Sequence, residues 1–334
     1  MTISLAISGM GEIGRTLFRC AFHDPEFEIC ALAHPTTPEA LAYLINYDTI
    51  YSRFPEKVKV DGEFLVTSKG KVRILSGEKP GELDWKSVGA TVVLDSTEKF
   101  RTQESLEGHF QRGAQKVVIT VPPRDQKIPY FIESINDNKL SPEISLFSAG
   151  SATAHCLLPA LEILHQEVGI ETAMMTVARA YTSEQSLLDK PGPDLRLSRA
   201  AAQNVIPSVT WSVLAANELL PHLHGAVDGM SMEVPVPDGS LVDIVALLKK
   251  SCSPQEINQI FLKHSKEGPW SFLLDYCEDP IVSTDVINNP HSCVVDSLAT
   301  AVIQENLAKI LVWYDNFWSF SNRILSLIKK SFKG

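Results

Sequence analysis

Long apolar runs, paired cysteines and an excess of positive charge are all missing from this 334-residue chain. No stretch of 18 apolar residues occurs, so no membrane-spanning helix is expected. The six cysteines are scattered with no Cys-x-x-Cys pair, which excludes a dithiol or zinc-ribbon motif and fits a reduced, cytoplasmic protein with no metal. A formal charge of −10 argues against broad binding to nucleic acid or anionic membrane. The locally basic end, Lys329-Lys330-Ser331-Phe332-Lys333, reads as a solvated tail. Residues 1–9 read as a strand without a basic leader segment, so no secretory signal is expected. Internal repeats and low-complexity linkers are also absent.

What is present is length enough for two cores, with 44% hydrophobic residues to fill them. The apolar run Ile3 to Ser8 leads at once into Gly9-Met10-Gly11-Glu12-Ile13-Gly14. An amphipathic stretch, Arg15 to Phe22, follows, and then a second strand, Phe27 to Leu32. Strand, Gly-x-Gly-x-x-Gly, helix and strand in that order predict a doubly wound nucleotide-binding domain over residues 1–150. In such a domain the glycines allow a tight turn, and a pyrophosphate rests on the helix N-terminus. Further strands are expected at Thr91–Asp95 and Lys116–Thr120, the latter closed off by Pro122-Pro123.

Residues 151–316 change character. A helix is expected over Leu157–Gln166, and broad strands over Ala173–Ala178, Ala226–Val234 and Leu241–Leu248. A helix over Ser253–His264 belongs on one face of that sheet. The fold class is therefore α/β: a doubly wound parallel-sheet domain plus an α+β domain with a mixed or antiparallel sheet. A last helix within about 317–334 is expected to pack back on the first domain.

The segment Phe147-Ser148-Ala149-Gly150-Ser151-Ala152-Thr153-Ala154-His155-Cys156-Leu157-Leu158-Pro159 resembles the active-site segment of phosphorylating glyceraldehyde-3-phosphate dehydrogenases, Ser-Asn-Ala-Ser-Cys-Thr-Thr-Asn-Cys-Leu-x-Pro. Asn46-Tyr47-Asp48, Asp95-Ser96-Thr97, Gln203 to Pro207 and Trp313-Tyr314-Asp315-Asn316 extend the resemblance, in the family's order, along nearly the whole chain. Tyr181 to Gln185, continuing through Arg196 and Arg199, is similar to the family's S-loop. The resemblance implies a Rossmann domain, NAD or NADP as cofactor, and a homo-oligomer, dimer or tetramer, built through the S-loop and the catalytic sheets.

Laid on that pattern, the family's residues are largely replaced. In the family a cysteine thiolate attacks the aldehyde and a histidine takes its proton. The nucleophile position is Ala152 and the base position is Arg179, so no catalytic couple is intact. A methyl group cannot form a thioester, and a guanidinium is protonated at any useful pH. Cys156 reads as a small buried hydrophobe in place of a substitute nucleophile. Neighbouring His155 points away from it, as adjacent helical residues do.

Ser151, Thr153, Thr182 and Thr210 keep hydroxyls where the family binds phosphates. The alternative for the threonines is a structural role, with hydroxyls bonding to backbone. Trp211 follows Thr210 in place of a glycine, where its indole fills the phosphate pocket, and Glu233 stands where the family has an arginine. An anion there is expected to repel a phosphate.

The resemblance assigns the cofactor to Gly9, Gly11, Glu12, Ile13, Gly14, His34, Thr120 and Asn316. His34 replaces the ribose-binding acid, and a cationic imidazole there would welcome a 2′-phosphate. Glu12 adds a negative charge beside the pyrophosphate, and Glu98 adds a side chain at a glycine position. The expectation is a family member that has lost the phosphorylating dehydrogenase reaction and serves a binding, scaffolding or regulatory role. The alternative is an NAD(P)-dependent oxidoreductase with non-thioester chemistry on another carbonyl or imine, in which Arg179 anchors a substrate carboxylate.

Overall fold

A computed structural model describes residues 2–183 and 185–333. The chain divides into two compact units, Met1–Ser151 with Ser321–Gly334, and Ala152–Phe320.

The first unit contains strands β1 (Ile3–Ser8), β2 (Phe27–Ala33), β3 (Tyr47–Asp48), β4 (Ser52–Arg53), β5 (Lys59–Asp61), β6 (Phe64–Thr67), β7 (Gly70–Leu75), β8 (Val92–Asp95), β9 (Lys116–Ile119) and β10 (Leu146–Ser148). Helices α1 (Glu12–His23), α2 (Pro38–Asn46) and α3 (Gln103–Gln111) join them. The main sheet runs β10-β9-β8-β1-β2-β7-β6-β5. It is parallel from β10 to β7, and the β7-β6-β5 edge is antiparallel. β1 lies between β2 and β8, so the chain leaves it on one side and returns on the other. Such a reversal opens a crevice at the carboxyl ends of the strands. The parallel strands are covered on both faces, and Leu5, Ala6, Ile7, Val93, Val117 and Ile119 have no exposed surface.

The second unit contains α4 (Ala152–Val168), α5 (Trp211–Leu219) and α6 (Pro254–Lys266). Its strands are β11 (Ile170–Ala180), β12 (Ile206–Ser208), β13 (Val227–Val234), β14 (Ser240–Leu248), β15 (Leu274–Cys277), β16 (Cys293–Ile303) and β17 (Leu307–Tyr314). Their order is β12-β13-β11-β14-β17-β16-β15, with β11/β13 and β15/β16 parallel and the other pairs antiparallel. This is the mixed sheet that the alternation along β14 (Val242, Ile244, Ala246 and Leu248 inward) requires. Ser253 and Glu256 form a reciprocal capping box that starts α6.

One helix begins earlier than its sequence suggests. Pro159 suits a first helical turn and so favours a start at Leu157, but α4 starts at Ala152 and carries Pro159 in its interior. Helix α7 (Trp318–Lys330) falls within the expected 317–334, and the Asp315 carboxylate starts it by accepting N–H groups from Phe317 and Trp318, at 2.8 and 2.6 Å. The basic end is not a free tail. Lys329 pairs with Asp24 at 2.6 Å and Glu26 at 2.7 Å, and Lys330 pairs with Glu133 and Asp137. Arg323 reaches the fully buried Glu133 at 3.1 Å. These ion pairs tie residues 321–333 to the first unit, and a composition-based reading of a lysine cluster does not see them.

Candidate functional site

In the second unit, Ala152 opens α4 and presents only a methyl group. The chemistry-bearing pair lies on the sheet, where the parallel register of β11 and β13 sets Arg179 directly opposite Glu233. Their side chains meet in a two-pronged ion pair. Arg179 Nε donates to Glu233 Oε2 at 2.9 Å, and Arg179 Nη2 donates to Oε1 at 2.6 Å. Ser208 Oγ, on neighbouring β12, donates to the same Oε1 at 2.7 Å. Glu233 is 1% exposed and Arg179 30% exposed. A buried carboxylate is tolerated when its oxygens are filled in this way. Glu233 is therefore not a bare anion facing a phosphate, and Arg179 is not a free cation awaiting a substrate carboxylate. Each neutralises the other.

The hydroxyls of the pocket are similarly engaged. Thr153 Oγ1 lies 2.7 Å from the hydroxyl of fully buried Tyr314, and burial raises the Tyr314 phenol well above its usual range. Thr210 caps α5 by accepting the Ser212 N–H at 3.3 Å. Thr182 donates its N–H to Gln185 Oε1 at 2.5 Å, and its hydroxyl lies 3.2 Å from the same oxygen. Of the three, only Thr210 bonds to backbone as expected; Thr153 and Thr182 are instead engaged by side chains that the fold brings to them. Ser151 is half-buried at the end of the first unit. Trp211 is half-buried at the first position of α5.

Cys156 has no surface for chemistry. It is fully buried, 4.0 Å from the Trp313 carbonyl, and burial together with neighbouring Cys293 pushes its thiol well above the usual range. A thiolate is the reactive form, so this environment suppresses nucleophilicity. His155 is buried with its ring 5.8 Å from that of Phe320. Asn316 is held by its backbone N–H to Asp238 at 2.9 Å and by Ser240 Oγ to its Oδ1 at 2.5 Å. The Ser240 hydroxyl also accepts the Ala180 N–H at 2.9 Å, one residue from Arg179. With Oδ1 engaged, the Nδ2 group is the part of Asn316 left to address a ligand.

In the first unit, the carboxyl ends of β1, β2, β8 and β9 bring Gly9, His34, Ser96 and Thr120 to one edge of the sheet. Gly9 has φ +93, and a Cβ there would meet the Ser96 carbonyl carbon and the Thr97 N at 2.7 Å. A Cβ at Gly14 would sit 2.0 Å from the Gly9 oxygen, so helix and turn pack too closely for any side chain. Gly11 differs. It faces open space, and as N-cap it gives α1 no side-chain cap. The first amides of α1, at Glu12, Ile13 and Gly14, thus have no side-chain acceptor. Thr120 Oγ1, in a residue 1% exposed, has no hydrogen-bond partner. An uncapped helix start, open space at Gly11 and an orphaned hydroxyl at one sheet edge fit an anionic dinucleotide. Bound there, such a group would supply hydride chemistry.

Two acidic replacements mark this edge. Glu12 lies in the first turn of α1. Glu98 adopts the left-handed conformation at φ +63, which costs a non-glycine residue about 1–2 kcal/mol. The turn is nonetheless firmly held. Thr97 donates N–H and hydroxyl to Asp95 Oδ1 at 3.0 and 2.6 Å, and Asp95 Oδ2 lies 3.0 Å from His109 Nε2. Trp85 Nε1 donates to His109 Nδ1 at 2.9 Å. An indole N–H can only donate, so His109 carries its hydrogen on Nε2 and gives it to Asp95. Sequence reasoning missed this Trp85–His109–Asp95 chain, because nothing local links residues in three separate elements.

His34 is not the cationic group that composition suggests. Burial, with Lys99 and Arg15 nearby, lowers its pKa, so the ring is neutral at pH 7. Nδ1 accepts the Thr36 N–H at 3.1 Å, which leaves the hydrogen on Nε2.

Among the described residues, no group of three or more His, Cys, Asp or Glu side chains could hold a metal ion. No helix among them is long and apolar enough to cross a membrane.

Residues 3–103 match the family model for the glyceraldehyde 3-phosphate dehydrogenase NAD binding domain, and residues 151–316 match that for its C-terminal domain. The chain is 37% identical over 330 residues to glyceraldehyde-3-phosphate dehydrogenase 2 of Bacillus subtilis, covering 98% of this chain and 96% of that one. It is 39% identical over 337 residues to the glyceraldehyde-3-phosphate dehydrogenase of Borreliella burgdorferi, covering 99% and 100%. The enzyme of Geobacillus stearothermophilus is 36% identical over 328 residues, covering 98% and 97%.

Proposed function

The chain belongs to the glyceraldehyde-3-phosphate dehydrogenase family, and we propose that within it this protein binds a dinucleotide but does not carry out the phosphorylating oxidation of an aldehyde. The observation that carries this reading is the Arg179–Glu233 pair, together with Ala152 at the position the family resemblance gives to the nucleophile. Acyl transfer through a thioester needs a thiolate and a group to accept its proton. Ala152 offers no sulfur, Cys156 is buried with a raised pKa, and Arg179 is a fixed cation committed to Glu233. The alternative of direct hydride transfer, with Arg179 anchoring a substrate carboxylate, is disfavoured because Glu233 already neutralises the guanidinium through Nε and Nη2. The role is one of binding, scaffolding or regulation.

The protein works as a homo-oligomer. Exposed apolar side chains support this: Met174 and Met230 on the second sheet, and Leu187, Leu188 and Leu195 in the S-loop. Six free thiols support a reducing, cytoplasmic setting. The test is spectrophotometric. Purified protein with glyceraldehyde 3-phosphate, phosphate and either NAD or NADP should form no reduced nicotinamide, and Ala152→Cys alone should restore none. Clear turnover by the unmodified chain would refute the proposal.

A further inference from the structure

Three buried side chains of the first unit form a chain of hydrogen bonds that ends in the turn after β8. Trp85 lies ahead of β8, Asp95 closes it, and His109 lies in the last turn of α3. None exposes more than 1% of its surface. The Trp85 indole N–H on His109 Nδ1, at 2.9 Å, fixes the imidazole hydrogen on Nε2, 3.0 Å from Asp95 Oδ2. Asp95 Oδ1 accepts the Thr97 N–H at 3.0 Å and the Thr97 hydroxyl at 2.6 Å. Every donor therefore points toward one carboxylate, and that carboxylate holds the Ser96-Thr97-Glu98 turn. His109 has both ring nitrogens engaged and no exposed surface, so it touches no ligand and acts only through Asp95.

The turn is one that its own residues resist. Glu98 sits at φ +63, a left-handed conformation that residues with a Cβ avoid. The turn also buttresses the glycine turn after β1. The Ser96 N–H donates to the Ser8 carbonyl at 2.8 Å, and Ser96 Oγ donates to the Gly9 carbonyl at 2.7 Å. A Cβ on Gly9 would lie 2.7 Å from the Ser96 carbonyl carbon, so the two backbones meet with no side chain between them. Gly9 leads into the uncapped start of α1. Without its imidazole donor, Asp95 would keep a buried oxygen unfilled, and turning to fill it would release Thr97. A shift at residues 96–98 passes directly to Gly9.

We propose that His109, oriented by Trp85, is a positioning residue for dinucleotide binding: it fixes Asp95, and through Asp95 the two turns at the carboxyl ends of β1 and β8. The inference rests on the reading that a dinucleotide is bound at this edge.

The experiment titrates the full-length protein with NADH and with NADPH by nicotinamide fluorescence, below the unfolding transition of each variant as followed by circular dichroism. His109→Leu removes the donor and should weaken both dinucleotides about tenfold or more, the effect of one charge-assisted hydrogen bond. His109→Gln, whose amide N–H can replace Nε2–H, should stay within about threefold of the parent. Asp95→Asn is an independent reading, and decides the matter should His109→Leu fail to fold. It sets an amide N–H against the His109 N–H and should weaken binding. Adding Trp85→Phe should then restore part of the affinity, because without the indole donor the imidazole can carry its hydrogen on Nδ1 and accept at Nε2. A purely structural role makes the second substitution deepen the loss. Parent-like binding by folded His109→Leu, a loss in His109→Gln as deep as in His109→Leu, or Asp95→Asn made worse by Trp85→Phe overturns the inference and leaves the dinucleotide-binding reading intact. Binding of neither dinucleotide by the parent overturns both.

Discussion

Replacing Arg179 with methionine tests whether its ion pair with Glu233 is energetically linked. The change removes two N–H donors from a carboxylate that is 1% exposed, leaving it the Ser208 hydroxyl at 2.7 Å and Ser231 at 3.5 Å. Breaking a buried ion pair from one side costs about 3–5 kcal/mol. Arg179 is itself 30% exposed, so water reaches the vacated side and the low end applies, about 3 kcal/mol. At about 2–4 °C per kcal/mol for a unit of this size, the transition of the second unit should fall by roughly 6–12 °C. Glu233→Gln should cost less, about 1 kcal/mol, because the cation left behind can turn to solvent while the buried anion cannot. Arg179→Met combined with Glu233→Leu should recover most of the loss, to within about 1–2 kcal/mol of the parent. Scanning calorimetry on the parent, Arg179→Met, Glu233→Leu and the double variant closes this double-mutant cycle. Equal, additive effects below about 1 kcal/mol would refute the reasoning.

Two further predictions follow from burial. Thiol alkylation of the native protein, read by peptide mass spectrometry, should leave Cys156 and Cys293 unmodified; labelling of Cys156 within minutes would reopen it as a nucleophile. Stability should fall on both sides of neutrality, as denaturation at several pH values would show. Burial, together with His222 and Lys249, lowers the pKa of His165, so its unfolded form binds the proton first and stability is lost below about pH 6.5. The raised Tyr314 phenol has the opposite sense, since unfolding releases its proton more readily, and stability is lost above about pH 10. His165→Gln should flatten the acid side and Tyr314→Phe the alkaline side; unchanged slopes would refute these assignments.

The sequence by itself determined the glycine turn after β1, the two-part organisation, and the chemistry available at positions 152 and 179, an alanine and an arginine. These depend on local spacing and residue chemistry, which survive without coordinates: a methyl has no nucleophile and a guanidinium no basic lone pair wherever they are placed. Only the tertiary structure decided what the replacements do. Arg179 and Glu233, read singly, suggest a substrate anchor and a phosphate repellent. The parallel register of β11 and β13 makes them partners, although 54 residues separate them. In the same way the three threonine hydroxyls lost their apparent freedom to Tyr314, Gln185 and a helix start, His34 lost its charge to burial and two nearby cations, and the C-terminal lysines became ion pairs. Partnership and protonation depend on distance and solvent access, and the fold sets both by joining residues that the chain keeps apart.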